Sequence, residues 1–394
     1  MVAPVPAQIE AQTTTGIAAS LGKRGTTQPS PSAQRWELLS TARRITSRKS
    51  LRTCGLYSPE GEVAVSLTER GAASVSGLHT CGSKLCPVCS ARESARQIAQ
   101  VEKAAAKLLT GKKCALMLTL TIPHQRGDDL GELLDVLQGA WNASLSGRGG
   151  KVWKSYGRIH YLRALDYTHG QHGHHPHYHA LFIMDRLLTE DDLFWLELDV
   201  RGRWERAVKR LTGRDCVHAA VKLEHVRGNE EGVRTVIRYV GKALTGALLE
   251  AVWSHGKTTG GRTLWAILAS AETNHRDQAL WRECEVAFHK RRWFVASQGL
   301  LALAEDEEKE EPEEETERES LVTLSDKLWR GLTRARLVGR FLTAAEQHQA
   351  EPEKWERWRR LCDLSLAHPL EPWERLVPLP EGSSRDGCRA PGDC

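Results

Sequence analysis

The chain has 394 residues, 40% hydrophobic and 27% charged, and a net charge of +5. It contains no uncharged apolar run of about 18 residues, so no membrane-spanning helix is expected. The N-terminus lacks the basic start and apolar block of a signal peptide, so a cytoplasmic location is expected.

Residues 1–34 are rich in Ala, Thr, Pro, Ser and Gln without periodicity and read as a disordered tail. From Arg35 the sequence becomes globular, and within 35–110 residues 81–109 pass from a cysteine cluster into a helical pattern, with Ala95, Ile98, Ala99, Val101 and Ala105 among charges. Residues 114–122, CALMLTLTI, read as a strand that Pro123 ends. A helix is expected near 129–145. Strands are expected at 159–166 and 177–184, joined by a histidine-rich turn. A helix at 187–212 and a strand at 217–226 follow. At 231–250 the positions Val233, Val236, Ile237, Val240, Leu244 and Leu248 recur near the 3.6-residue period of a helix. Residues 303–319 form an acidic linker. The stretch 305–319 (EDEEKEEPEEETERE) holds eleven acids and two bases, which leaves the other 379 residues at +14. Such a basic body suits a polyanion, with nucleic acid the obvious one. Residues 320–375 read as a helical segment rich in Trp and Arg, and 376–394 as a second disordered tail. No internal repeat occurs.

Chemistry concentrates in HGQHGHHPHYHALFIM, residues 169–184, where six of the first eleven residues are histidines. In a strand, side chains two apart share a face. His177 and His179 therefore point one way and Tyr178 the other, and two adjacent imidazoles make half of a divalent-metal site. A third ligand is needed. Asp166 ends the preceding strand and would return beside the pair; His175 is its rival. His169, His172 and His174 are expected to line the loop.

A second constellation is Cys81, Cys86 and Cys89, spaced C-x4-C-x2-C, with Cys54 as a fourth thiolate and His79 as its rival. Four thiolates would close a tetrahedral structural zinc site. Arg92 and Arg96 follow it and are candidate DNA contacts. Of six tyrosines only Tyr239 lies beyond the histidine pair. It sits on the helix expected at 231–250, near Arg238, Lys242 and Thr235. Alone, it is an ordinary aromatic on an amphipathic helix.

Taken together, LMLTLTIPH (116–124), HPHYHALF (175–182) and RYVGK (238–242) occur in the order found in plasmid rolling-circle replication initiators, the single-tyrosine Rep family of the HUH endonucleases, which the chain resembles. The block TCGSKLCPVCSAR (80–92) and the downstream GRTLWAILA (261–269) and LWRECEVAFHKRRWFVASQGL (280–300) extend the resemblance over roughly residues 50–302. Conjugative relaxases place the tyrosine before the histidines.

The resemblance implies an α+β fold, an antiparallel sheet covered by helices as in HUH and RRM-like domains. A small N-terminal zinc-binding element (35–110) precedes the nicking domain (111–302), and a helical segment follows. It implies that Tyr239, with Lys242 and Arg238 beside it, attacks a phosphodiester of the plasmid origin presented by Mg2+ or Mn2+ on His177, His179 and Asp166 (or His175). The product is a 5′-phosphotyrosine link and a free 3′-OH. Expected partners are origin DNA as a single strand or hairpin, then a host helicase, a DNA polymerase and a second copy of the chain. Thr235 stands where relatives often carry a glutamate that activates water, so hydrolytic termination is not expected by that route. A non-catalytic zinc-containing DNA-binding regulator and an HUH transposase are the alternatives.

Overall fold

The computed structural model describes residues 30–69, 71–109, 113–226, 261–305 and 320–368. The helix expected at 231–250, with Tyr239, Arg238, Lys242 and Thr235, lies outside them.

Two antiparallel sheets organise the described residues. The larger is built from β3 (Cys114–Thr121), β4 (Arg158–Gly170), β5 (Gly173–Met184), β6 (Val221–Val226) and β7 (Arg262–Thr263), in the order β6-β3-β5-β4-β7, with β8 (Phe294–Ala296) also paired to β4. The histidine strand β5 is therefore central. The hairpin β4–β5 is longer than the sequence pattern suggests. Its ladder runs to Gly170↔Gly173, so only Gln171 and His172 form the turn. Gly173 has φ +86°, and a Cβ there would meet the Gln125 carbonyl oxygen at 3.1 Å and Arg126 Cα at 3.2 Å. Only glycine fits that position without strain.

Alternation along the strands gives this sheet two different faces. One face carries Leu116, Leu118, Leu120, Tyr178, Ala180 and Phe182. These residues join the main core with Leu133, Leu137 and Trp141 of α4 (Leu130–Leu145) and Leu196, Val200 and Trp204 of α6 (Glu190–Thr212). Trp153 of the intervening α5 (Gly147–Ser155) stacks on Phe182 at 3.8 Å, and Trp204 Nε1 donates to the Thr121 carbonyl at 2.8 Å. Asp129 caps α4 by accepting from Glu132 N–H, and Thr189 with Asp192 forms a capping box on α6.

The opposite face is split along its length. Ala115, Met117, Leu162, Ala164, Leu181 and Ile183 pack under Val101, Ala104 and Ala105 of α3 (Pro87–Leu108). Beyond them the same face turns polar, with Thr119, Thr121, Asp166, His177 and His179 in one patch.

The smaller sheet joins the two ends of the chain. β1 (Glu62–Leu67) pairs with β2 (Ala73–Ser76) and, on its other edge, with β9 (Val322–Ser325). Residues 320–368 are thus not wholly helical: a strand precedes α10 (Asp326–Arg334), α11 (Val338–Glu346) and α12 (Pro352–Ala367). Four residues of strand carry too short a pattern to read from sequence. Helix α1 (Pro31–Ile45) starts within the tail expected to be disordered, capped by Ser30 with Pro31 in its first turn. It packs on α11, and Trp36 meets Trp329 edge to face at 5.2 Å. Trp329 Nε1 donates to the Gly55 carbonyl at 2.9 Å. The remaining described helices are α2 (Lys49–Thr53), α7 (Leu264–Ser270), α8 (His275–Ala287) and α9 (Ala302–Glu305).

Candidate functional site

The polar patch is set by strand register. His177 lies opposite Thr121 on β3 and Asp166 on β4; His179 lies opposite Thr119 and Ala164. Asp166 is therefore a direct cross-strand neighbour of His177, brought there by the ladder rather than by a loop. Its Oδ2 is 3.3 Å from His177 Nε2 and 3.8 Å from His179 Nε2. One ligand atom from each of the three residues lies within 4.8 Å of the others.

Both imidazoles are held from behind. His179 Nδ1 pairs with the Thr119 hydroxyl at 3.1 Å, and His177 Nδ1 with the His175 carbonyl at 3.4 Å. Each ring thus turns Nε2 toward Asp166, as partners behind metal-binding histidines do. Burial raises the Asp166 carboxyl. The hydrogen bond from His177 and the charges of His177 and His179 outweigh burial and hold it below its ordinary value. Burial, with His177 beside it, pushes His179 down to about 4, so the ring is neutral near pH 7. Burial is also the main cause that lowers His175 to about 4.

His175 does not join the triad. Its ring stacks between His177 at 4.8 Å and His124 at 4.7 Å. Of the loop histidines, His174 points to the opposite face of the sheet. Its Nδ1 pairs with the Tyr167 hydroxyl and its Nε2 with Glu283 Oε1 of α8, both at 2.8 Å. Cys284 Sγ donates to the same Tyr167 hydroxyl at 3.4 Å, and Tyr167 N–H donates to Asp166 Oδ1 at 2.7 Å. This chain anchors β4 behind Asp166. Sequence reasoning missed it, and missed Thr119, although the alternation of Thr119 and Thr121 with Leu118 and Leu120 marks a polar face. His169 meets His174 edge to face at 5.0 Å, and His172 sits in the turn.

The four cysteines converge. Cys54 ends α2, and Cys86 is the N-cap of α3 with Cys89 in its first turn. Cys54 Sγ is 3.5 Å from both Cys86 and Cys89, and Cys81 is 3.8 Å from Cys89. An edge of about 3.8 Å is what four sulfurs at about 2.3 Å from one ion would have. Hydrogen bonds from Cys54, Cys81 and Cys86 favour the Cys89 thiolate and hold it well below the ordinary thiol value. A helix N-terminus acts in the same direction. His79, the rival ligand, stacks on Tyr57 at 5.0 Å instead. Arg92 donates to the Val75 carbonyl at 3.2 Å and Arg96 pairs with Glu93 at 2.9 Å, so both have partners within the chain.

No described helix is long and apolar enough to cross a membrane. No solved structure matches the chain. Among curated proteins, a neomycin resistance protein of Streptomyces cyanogenus is 33% identical, over 39% of this chain and 38% of that protein. A protein named Protein rep, of Streptomyces lividans, is 28% identical over 32% of this chain and 34% of its own length. The chain thus spans little more than a third of either relative. The family described as Replication protein matches residues 73–329, more than half of the chain and all of the larger sheet. The chain belongs to that replication protein family.

Proposed function

We propose that the protein initiates rolling-circle replication of a plasmid by nicking one strand of its origin through tyrosine transesterification, on an HUH-type sheet. The observation that carries this reading is the convergence of Asp166, His177 and His179 on the polar end of the central strands, in a chain of the replication protein family.

The donor set, one carboxylate and two imidazoles with Nε2 turned inward, fits Mg2+ or Mn2+, with the softer imidazoles favouring Mn2+. When bound, such an ion polarises a phosphodiester and offsets the charge that builds on its oxygens. The chain's own residues do the rest. Thr119 and the His175 carbonyl fix the two rings, and the chain from Glu283 through His174 and Tyr167 steadies Asp166. The Tyr239 phenolic oxygen, on losing its proton, attacks phosphorus. The bond to the 3′ oxygen breaks, that oxygen takes up a proton, and a 5′-phosphotyrosine remains. Arg238 and Lys242 offset the phosphate charge. Transesterification conserves the bond energy, so strand closure needs no nucleotide cofactor. The four cysteines would hold a structural Zn2+, which would brace α3 against the residues before β1. Host helicase, polymerase and a second copy of the chain are the further partners of this reading.

Incubating single-stranded origin DNA with protein and Mn2+ tests it. The doubly substituted His177→Ala/His179→Ala protein should lose nicking by at least two orders of magnitude and still bind DNA. Full nicking by that variant contradicts the assignment.

A further inference from the structure

Two further imidazoles continue outward from His177 of the triad as a ladder that the proposed reaction does not use. His177 stacks on His175 with ring planes 22° apart, and His175 on His124 with planes 24° apart. His124 ends the ladder: no further ring lies on it among the described residues, and it is half-buried. Two residues on, Arg126 is exposed and has no hydrogen-bond or ion-pair partner among the described residues.

The loop that presents them is fixed in place. Asp128 accepts from Gln125 N–H at 2.9 Å and takes both guanidinium nitrogens of Arg214 at 2.6 and 2.9 Å. Gly173 of the hairpin tip is in contact with Gln125 and Arg126, where a Cβ would not fit.

We propose that His124 and Arg126 form a nucleotide subsite beside the triad, in which a base of single-stranded DNA stacks on the His124 ring and its phosphate pairs with Arg126. The subsite rests on the reading of the triad as the place where a DNA strand is cut. Stacking on an unbroken ladder of rings accepts any base, because every base has a π-face. A lone guanidinium contributes a backbone contact with no sequence information.

The test uses the full chain without divalent metal. The probes are fluorescein-labelled (dT)12 and a 12-mer of the same backbone lacking all bases. His124→Ala should weaken (dT)12 binding about tenfold and leave the abasic strand unchanged. His124→Phe should restore the preference for bases. Arg126→Ala should weaken both strands alike and lower the salt slope of log K by about 0.7. Equal loss on both strands in His124→Ala, or failure of His124→Phe to restore the preference, overturns the subsite. Adduct formation on Tyr239 with Mn2+ reads the cutting reaction separately. A protein that forms the adduct without a His124-dependent base preference overturns the subsite alone. One with the preference and no adduct overturns the reaction alone.

Discussion

The third ligand turns on one residue pair. Asp166 lies beside both Nε2 atoms, whereas His175 is stacked between two rings. Asp166→Asn keeps shape and removes the charge, and should weaken Mn2+ binding measured by calorimetry. The loss should be at least the roughly 10–100-fold that removing a residue behind a ligand costs. His175→Ala should stay within a few-fold of the parent; the reverse order would exchange their roles. The same site sets a pH dependence. His175 and His179 sit at about 4 in the folded chain against 6.5 ordinarily. Between those values the unfolded chain binds more protons, so the metal-free fold should gain stability as pH rises from about 4 to about 6.5. Glu272 is different: hydrogen bonds, chiefly from Arg336, pull its carboxyl down to about 2. Its contribution is present above about 4.5 and is lost only as pH falls toward 2. Urea midpoints at pH 7, 5.5 and 4.5 should fall in that order, with a smaller fall in His179→Asn. A midpoint flat over that range would remove the burial argument.

At the scale of elements, legibility followed pattern length. The strand β3 opens on an apolar run, residues 114–118, and β5 ends in one, so both could be read from sequence. The facing of His177 and His179 followed from the two-residue period alone. The hairpin was read too short because Gly, His and Pro between 169 and 176 resemble a turn, while the ladder continues through them. The spacing of the cysteines showed three of the four thiols. Cys54 converges because the chain leaving α2 folds back, its neighbour Gly55 donating to the His79 carbonyl at 2.7 Å. No local pattern encodes that return. If the cluster holds Zn2+, metal analysis should find one per chain. Cys54→Ser should lose it and lower the melting temperature, while His79→Ala should retain it. Retention by Cys54→Ser would exclude four-thiolate ligation.

At the scale of the whole molecule, residues more than 250 positions apart in sequence form one core. Strand β9 closes the edge of β1, and Trp329 packs against Trp36. Arg44 of α1 and Arg336 after α10 share Glu272, at 2.6 and 2.8 Å. The C-terminal segment is thus part of the fold rather than an appended module. Trp329→Ala should cost about 3–5 kcal/mol in denaturant unfolding. A cost under about 1 kcal/mol would mean the two ends do not unfold together. What the assembled molecule does is tested most directly by mapping the covalent link between protein and DNA on the parent plasmid's origin. Mass spectrometry of the digested adduct should find a single linkage, on the peptide containing Tyr239, through a 5′ phosphate, and none in Tyr239→Phe. DNA binding with no adduct, as a non-catalytic regulator would give, or an adduct that survives in Tyr239→Phe, would contradict the account.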